Sequence, residues 1–549
     1  MTIRPPRPLS LLLLLFLPAA LLGARQGATT ATTPPAAPPA TEGEGGADGA
    51  PPLPPLPKTP PPPNPDPEYK HGSYLLTHPP LAPPFRAKKV PPHPIYVILV
   101  DALRADRLGI NGYPRKLTPN IDALAADGIS FNRFYANAPW TKPSTTSYLT
   151  GLYPSRHRVQ PEKAKLAPVF ETLPEALSQL GYVTGGVVGN GNGSGAFGLD
   201  QGFSFYVDTR DHWDGLPTAE DVFVHVKRFA AKNRRRQKHF LFTFIVDPHD
   251  PYHTPDPKDE REFLWEGHPE IVRTPRWEYA PKDGSKWNFP PGGGLSRDQR
   301  RATIAVYDAA VKYADRQIGD LIADLKKKGI YENATIIVTA DHGEGFGEHG
   351  IYKHAHHFFD EVVRVPFVMK SPAIPKAYRG MSTDVLAQGV DLYPTVLYLA
   401  GGKPNAKRPG VNLFDLLAEP EKYEDRLLFS EYNTFGISRT MVLSKDYKLI
   451  LQLPANEELF MKKVRRKDLL PSVVFDREFV QLYDLRTDGL EMNNLARDGD
   501  PKTIPKQTRF LLDAVRHFIA TQPGDKAPQM VEKLDPETER DLRALGYIK

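Results

Sequence analysis

The chain has 549 residues, of which 25% are charged and 40% hydrophobic, enough for one large domain or for two with substantial cores. Its formal net charge is +5, and its 70 basic residues are interspersed with 65 acidic ones, so nucleic acid is not predicted as a partner. The absence of cysteine excludes disulfides and a lipid-accepting cysteine, so the fold must be stable without cross-links.

The amino terminus has the pattern of an export signal. Two arginines precede an apolar run at residues 9–22, and small residues follow it. A short membrane anchor is the alternative, but the run is shorter than the roughly 20 residues of a spanning helix, and Pro18 interrupts it. We therefore predict a signal peptide at residues 1–24 and a periplasmic or secreted protein, with tethering by an uncleaved segment as the alternative.

Residues 25–90 are dense in proline and poor in the apolar residues that form a core. Because proline favours extended backbone, this segment is predicted to be a disordered, semi-extended linker. Its Pro-x-x-Pro matches are the alternative interpretation, as ligands of a peptide-binding module. The folded part is predicted to begin near His93.

Three apolar runs end in side chains suited to metal binding or acid–base chemistry. Such runs are typical of buried parallel strands, whose carboxyl ends meet at one edge of a sheet, where ligands bind in open α/β folds. The side chains are Asp101 after residues 95–100, Asp247, His249 and His253 after residues 240–246, and Asp341 and His342 after residues 335–340.

Helical segments separate these predicted strands. "TPNIDALAADG", "TLPEALSQLG" and "DAAVKYADRQIGDLIADLKKKG" each have helical spacing of apolar residues and end in a glycine, as at helix C-caps. The alternation of strand and helix predicts an α/β sandwich with a large central, mostly parallel sheet flanked by helices.

Thr141, in "WTKPSTTSYLTG", has two interpretations. Pro143 is of a type favoured near the first helical position, which places Thr141 at or just before the cap of a predicted helix. A helix N-terminus also offers free N–H groups and positive potential, which stabilise an alkoxide or a bound phosphate. This pattern alone leaves Thr141 as either a helix cap or an enzyme nucleophile.

Several ordered blocks resemble the sulfatase family of the alkaline phosphatase superfamily. They include "VILVDALRADRLGINGYPRKLTPNIDALAADG", "ANAPWTKPSTTSYLTGLYPSRH", "TADHGEGFGEHG" and "QLYDLRTDGLEMNNLA", and they extend from about residue 94 to residue 496. The resemblance implies an ester hydrolase with the alkaline phosphatase-like fold. It implies a catalytic domain at residues 91–420 and a smaller α+β subdomain at 421–549.

The family's Cys-or-Ser, x, Pro, x, Arg motif, whose first residue becomes the formylglycine nucleophile, is altered here. Thr141 replaces the convertible residue and Thr145 occupies the arginine position. Asn190 and Asn192 stand where sulfatases usually carry a lysine and a histidine. No formylglycine can form at a threonine, so the resemblance points instead to phosphoesterases, phosphonate hydrolases and phosphoethanolamine transferases, in which a Ser or Thr hydroxyl attacks phosphorus.

The same resemblance implies a metal centre. Its ligands would be Asp101, Thr141, Asp341 and His342. Oxygen ligands with one imidazole favour zinc or manganese, with calcium or magnesium as alternatives, and the cation would lower the pKa of the threonine hydroxyl. A second metal site formed by Asp247 with His253 is a further hypothesis.

Histidines supply the remaining chemistry that the resemblance implies. His249 matches the family's histidine near the leaving group, and His354 matches a substrate-side histidine of the transferases. His354 is thus a candidate for phosphate binding or for a second metal. His356 and His357 are either further site residues or surface residues.

We expect a hydrolase that cleaves phosphate or phosphonate esters of small molecules, glycans or lipids through Thr141. The alternatives are a sulfuric ester hydrolase, a phosphoethanolamine-type transferase with a cell-envelope acceptor, and an inactive binding protein. The transferases usually carry several membrane helices that this sequence does not predict, which favours hydrolysis. The retained candidate ligands and His249 argue against the inactive protein.

Overall fold

The computed structural model describes the following residues, all within the compact unit Pro54–Lys549: 79–81, 85–160, 163–212, 217–269, 295–355, 357–403, 405, 407–434, 437–453, 480–496, 506–522 and 530–531. The predicted signal peptide, the linker up to residue 78 and His356 lie outside the described residues.

The strands are β1 (Ile95–Val100), β2 (Ile129–Tyr135), β3 (Ala164–Lys165), β4 (Val183–Val188), β5 (Phe205–Asp208), β6 (His239–Ile245), β7 (Thr335–Ala340), β8 (Gly345–Phe346), β9 (Tyr352–Lys353), β10 (Arg364–Lys370), β11 (Met381–Thr383), β12 (Ala387–Gln388), β13 (Leu428–Thr434), β14 (Ile437–Leu443), β15 (Tyr447–Leu453), β16 (Val480–Asp484) and β17 (Met530–Val531). The α-helices are α1 (Pro119–Ala126), α2 (Thr141–Thr150), α3 (Pro154–His157), α4 (Leu173–Gln179), α5 (Ala219–Asn233), α6 (Pro257–Arg261), α7 (Arg297–Lys327), α8 (Asp360–Val363), α9 (Leu392–Leu399), α10 (Leu413–Ala418) and α11 (Lys506–Thr521).

The central sheet has the strand order β11-β2-β10-β7-β1-β6-β4-β5, and β12 also pairs with β2. Among the described residues, β10 pairs antiparallel with β7 and β2, and the other neighbours in this sheet pair in parallel. The predicted α/β fold with a large, mostly parallel sheet is therefore confirmed.

The three predicted strands lie side by side at the centre of this sheet. β1 and β7 have the predicted bounds, whereas β6 begins and ends one residue earlier than expected. The strand begins earlier because His239 can be buried in it: its ring has a hydrogen-bond partner, the Tyr96 hydroxyl, 2.8 Å from Nε2. All three strands are fully buried, as expected for a sheet covered on both faces.

The three predicted helices are α1, α4 and α7. Gly181 and Gly329 follow α4 and α7 with φ of 80° and 70°, the left-handed conformation predicted for a C-cap glycine. Gly128 after α1 has no such φ, and a side chain there would collide with the backbone of Met369. The third helix also begins earlier than predicted, at Arg297.

Ordered packing begins earlier than the sequence predicts. Phe85 is buried, and its ring lies 5.0 Å from that of Tyr378 and 6.2 Å from that of Phe414. The Lys88 N–H donates to the carbonyl of Ala373 at 2.8 Å. The prediction that the folded part begins near His93 is therefore wrong, because an aromatic anchor lies within the proline-rich segment.

The carboxy-terminal part contains a four-stranded antiparallel sheet in the order β13-β14-β15-β16, against which α11 packs. This arrangement confirms the predicted smaller α+β part. No helix in the described part of the chain combines the length and apolar character needed to cross a membrane.

A buried charge network joins this small sheet to the central one. Lys448 on β15 places its Nζ 2.6 Å from Asp360 Oδ1, at the start of α8, and donates to the Phe358 carbonyl at 3.1 Å. Burial opposes the charge of Lys448, but Asp360 and Glu491 raise its pKa above the usual lysine range.

We expect Lys448→Met to lower the free energy of unfolding by about 3–5 kcal/mol, because it leaves Asp360 without its buried cationic partner. The measurement is urea or thermal unfolding of the purified protein. Lys445→Met is the matched control, since Lys445 pairs with Glu424 at the surface and its loss should leave the unfolding midpoint nearly unchanged. Equal midpoints for the two variants would contradict the proposed role of this network.

Candidate active site

The register of the parallel strands determines which side chains meet. Val100 at the end of β1 lies opposite Ile245 of β6 and Ala340 of β7. The residues that follow these strands therefore emerge at one edge of the sheet, as the sequence predicts.

Asp101, Asp341 and His342 form a buried group whose donor atoms all lie within 4.8 Å of one another. His342 Nε2 is 3.3 Å from Asp341 Oδ2 and 3.6 Å from Asp101 Oδ1. These two carboxylate oxygens have no hydrogen-bond partner among the described residues. Buried polar atoms rarely lack a partner, so two carboxylate oxygens facing one imidazole nitrogen fit a divalent cation.

Hydrogen bonds fix the orientation of all three side chains. His342 Nδ1 lies 2.8 Å from the Gly343 carbonyl and donates to it, which leaves the lone pair on Nε2, facing the carboxylates. Asp341 Oδ1 accepts from the N–H groups of Ala102 and His342. The Asn190 carboxamide donates to Asp101 Oδ2. Each carboxylate thus keeps one oxygen for a cation.

The electrostatics of this group agree with a cation site. Burial and the facing charge of Asp341 raise the pKa of Asp101 well above its usual range, and burial raises the pKa of Asp341 to about 7. Burial lowers the pKa of His342 to about 4. A bound divalent cation would favour both ionised carboxylates and the neutral imidazole, and so would remove the unfavourable contact between two buried like charges.

Thr141 is the first residue of α2, and Trp140, with extended backbone, is the N-cap. The interpretation of Thr141 as a helix cap is therefore wrong. Pro143 falls at the third helical position, where the missing N–H costs no helical hydrogen bond. The Thr141 hydroxyl is buried, and its oxygen lies 3.1 Å from His342 Nε2.

Two side chains of α2 fix this helix to the end of β7. Ser144 Oγ donates to the carbonyl of Asp341 at 2.6 Å, and the Tyr148 hydroxyl donates to the carbonyl of Ala340 at 2.8 Å. These bonds hold Thr141 next to the group around His342, although 201 residues separate Thr141 and His342 in the chain.

His249 and His354 lie on the same side of the group. The ring of His354 stacks on that of His342 at 4.2 Å between centroids and lies 5.0 Å from that of His249. Each ring presents its Nδ1 to an acidic residue: Glu344 Oε1 is 3.1 Å from His354, and Asp250 Oδ1 is 3.1 Å from His249. The structure thus brings both predicted histidines to the centre.

The sequence analysis missed these two acidic residues. Glu344 also accepts a hydrogen bond from the Tyr252 hydroxyl at 3.0 Å, and Asp250 pairs with Lys353 Nζ at 2.9 Å. Glu344 follows His342 by two residues and Asp250 directly follows His249. This adjacency was the available signal, because a carboxylate beside a site histidine commonly orients the ring.

Two of the weaker sequence hypotheses are not supported. Asp247 accepts from the N–H of Ala219 at the start of α5, whereas the His253 side chain is 67% exposed beside Glu260. Within the described residues, the group of metal-capable side chains includes neither Asp247 nor His253. His357 is buried, and its Nε2 lies 3.3 Å from the Lys353 carbonyl, so the surface interpretation is wrong for this residue.

A mostly parallel sheet with carboxylates, imidazoles and a hydroxyl at the carboxyl ends of its strands is typical of an α/β enzyme, and three of these side chains form a possible metal site. The sequence model of the sulfatase family matches residues 94–402, a range that includes every residue of this centre. The chain belongs to the sulfatase family.

Known proteins of this family resemble the chain over most of its length. A sulfatase of Formosa agariphila is 24% identical over 68% of this chain and 81% of its own length. A Delta 4,5-hexuronate-2-O-sulfatase of Bacteroides thetaiotaomicron is 24% identical over 76% and 87%. The structure of a phosphonate monoester hydrolase of Agrobacterium radiobacter shares the fold with a TM-score of 0.60 and 21% identity, over 78% of this chain and 96% of that one. The predicted family and the ester-hydrolase class are thus confirmed.

We expect Asp341→Asn to lose most of its bound metal on dialysis, because it removes a charged ligand from the candidate centre. Elemental analysis of the purified protein measures the metal content directly. Asp247→Asn is the matched control and should retain wild-type metal, since Asp247 is occupied at the start of α5. Wild-type metal content in Asp341→Asn would contradict the assignment of this centre.

Proposed function

We propose that this enzyme hydrolyses phosphate or phosphonate esters with the Thr141 hydroxyl as nucleophile. The observation that carries the proposal is the position of that hydroxyl, buried 3.1 Å from His342 Nε2 and beside two unpartnered carboxylate oxygens. A buried threonine at the start of a helix also benefits from the positive potential there when it loses its proton.

Asp101, Asp341, His342 and Thr141 would hold a divalent cation, and we propose zinc or manganese because oxygen ligands with one imidazole suit these metals. When bound, such a cation lowers the pKa of the threonine hydroxyl and offsets negative charge on the substrate. The remaining chemistry belongs to side chains of the chain itself.

The reaction takes two balanced steps. In the first, the Thr141 hydroxyl gives its proton to water and its oxygen attacks phosphorus, while the P–O bond to the leaving group breaks and the leaving oxygen takes a proton from His249 Nε2. In the second, water attacks the phosphorylated threonine and gives a proton to His249. The bond between phosphorus and Thr141 then breaks, and the threonine oxygen takes a proton back from water.

The contacts of the two histidines support these roles. The Nδ1 atom of His249 lies 2.8 Å from the Asp250 carbonyl, so Nε2 is the nitrogen that exchanges protons with substrate and water. Burial lowers the pKa of His249, and the charge of Asp250 offsets part of this shift, so the protonated ring is a stronger acid toward the leaving group than a free imidazolium. His354, oriented by Glu344, would contact substrate oxygens.

Threonine chemistry argues for phosphorus over sulfur as the reacting atom. A formylglycine hydrate releases sulfate by expelling it from a geminal diol, whereas a sulfated threonine must be freed by breaking a second strong ester bond. A phosphorylated threonine can instead be freed by attack of water on phosphorus, assisted by a histidine, and needs no geminal diol. The phosphonate monoester hydrolase of the same fold is consistent with this substrate class. With the predicted signal peptide, we propose that the enzyme acts outside the cytoplasm.

We expect Thr141→Ala to abolish turnover while the protein remains folded, because alanine is well tolerated in a helix. Thr141→Ser should retain part of the activity, since a hydroxyl remains. Thr150→Ala is the matched control: Thr150 is a buried threonine at the opposite end of α2, and its loss should leave turnover close to wild type. Steady-state kinetics measures all three. Wild-type turnover by Thr141→Ala would rule out the nucleophile role.

We also expect a higher kcat/KM for p-nitrophenyl phenylphosphonate than for p-nitrophenyl sulfate. The two esters carry the same charge and the same leaving group, so their comparison isolates the reacting atom. Release of p-nitrophenol measures both. A higher efficiency on the sulfate would favour the sulfuric ester hydrolase and reject this proposal.

A further inference from the structure

One wall of the centre is a loop that we call the Asn190 loop, residues 190–197. It consists of two short 3-10 helical turns after β4, Gly191–Gly193 and Gly195–Phe197. Asn190 ties one end of it to Asp101. At the other end the ring of Phe197 lies 4.0 Å from Lys142 Nζ, next to the nucleophile. The loop therefore spans the space between Asp101 and the start of α2, against which its first turn packs.

This wall contains buried polar atoms without partners. The amide nitrogen of Asn192 and the hydroxyl of Ser194 have no hydrogen-bond partner among the described residues, although each residue is only 2% exposed. Asn192 also donates its backbone N–H to Asn190 Oδ1 at 2.8 Å, so the loop backbone is fixed. An unsatisfied buried donor costs about 1–3 kcal/mol, a cost that a ligand removes when it supplies the acceptor.

Thr145 presents a third such atom from α2. The other helical threonines, Thr146 and Thr150, each donate to the carbonyl four residues earlier at 2.7 Å, as helical threonines often do. The Thr145 hydroxyl makes no hydrogen bond within the described part of the chain, although the residue is 99% buried. Thr145 lies four residues after Thr141, on the same face of the helix.

We propose that Asn192, Ser194 and Thr145 form the subsite for the non-bridging oxygens of the ester, and that this neutral subsite selects substrates with one negative charge. The preferred class is then a phosphonate monoester or a phosphate diester, rather than a doubly charged phosphate monoester. This proposal rests on the proposed attack of Thr141 on phosphorus.

The charges around the subsite support a singly charged substrate. Asp101 and Asp341 together match the charge of a divalent cation, so the centre itself offers no excess positive charge. Lys353 is paired with Asp250 at 2.9 Å. Lys142 Nζ lies over the rings of Phe197 and Trp140. Asn192, Ser194 and Thr145 carry no charge themselves, so a second negative charge on the substrate would lie against buried groups that include no cation, which is costly.

The test compares p-nitrophenyl phenylphosphonate, which carries one negative charge, with p-nitrophenyl phosphate, which carries two at about pH 8, above the second phosphate pKa of about 6. We expect wild-type kcat/KM to be at least about tenfold higher on the phosphonate. A tenfold ratio corresponds to about the energy of one hydrogen bond to a charged group. Asn192→Lys should lower this ratio about tenfold or more, because it adds a cation. The nearly isosteric Asn192→Asp should raise the ratio, because its added negative charge repels the dianion more strongly.

Asn233→Asp is the matched control. Asn233 is also buried, but its amide already donates to the Phe229 carbonyl at 3.0 Å on α5, so the ratio should not change. A wild-type preference for the phosphate monoester would overturn this proposal and leave the threonine mechanism intact. Unchanged ratios in both folded Asn192 variants, checked by circular dichroism, would also overturn it. Turnover of p-nitrophenyl sulfate alone would instead reject the proposed function, and this proposal with it.

Discussion

The centre depends on one constraint: parallel pairing of β1 with β7 brings two carboxylates together in the interior. Val100 lies opposite Ala340, so Asp101 and Asp341 follow at the same level of the sheet, both fully buried. Taking such charges out of water costs several kcal/mol for each ion unless a partner compensates. Ala102, Asn190 and His342 donate hydrogen bonds to one oxygen of each carboxylate. The other oxygen of each has no hydrogen-bond partner among the described residues, and these two oxygens mark the position that a cation would occupy.

The surrounding structure serves to hold other groups against that pair. Ser144 and Tyr148 bond α2 to the carbonyls of Asp341 and Ala340, so Thr141, the proposed nucleophile, is held beside the carboxylates. Glu344 and Asp250 each fix one histidine ring through its Nδ1 atom. Preorganisation of this kind matters for catalysis, since groups already in position need no reorganisation during the reaction.

The sequence predicted those parts of the centre that follow from local rules. Fully apolar runs before Asp101 and Asp341 identified the strands, and the carboxyl-edge rule for parallel sheets brought the two residues together without knowledge of the loops. The same reasoning misassigned Asp247, which also follows a central strand. Its carboxylate instead accepts a hydrogen bond from the N–H of Ala219, the first residue of α5. The strand pattern predicts that a residue lies at the edge of the sheet. It does not predict whether a backbone N–H group nearby will bind the carboxylate of that residue.

Parts of the structure that depend on contacts between distant segments were not predictable in this way. The hydrogen bonds of Glu344 to Tyr252 and of Asp250 to Lys353 require the loops after β6 and β7 to meet. The burial of Phe85 likewise requires Tyr378 and Phe414. The helix start at Thr141 was misjudged by local preference, because Pro143 is tolerated anywhere in the first turn, where N–H groups have no helical partner. Local preference therefore left the boundary open to within about two residues.

The departures from the sulfatase motif can be understood as one electrostatic change. The positions at which the resemblance implies an arginine, a lysine and a histidine hold Thr145, Asn190 and Asn192. Three cationic or titratable side chains are thus replaced by neutral ones, and a threonine stands where the family has its convertible residue. Asn190 donates a neutral hydrogen bond to Asp101, whereas a lysine at this position would bring a full positive charge. With less positive charge on this wall, the potential at Thr141 would depend more on the helix start and on the cation that we propose for Asp101, Asp341 and His342. In the proposed mechanism, the threonine nucleophile and the neutral wall thus belong to one charge balance, in which the ester brings a single negative charge to a site whose cation would already be matched by two carboxylates.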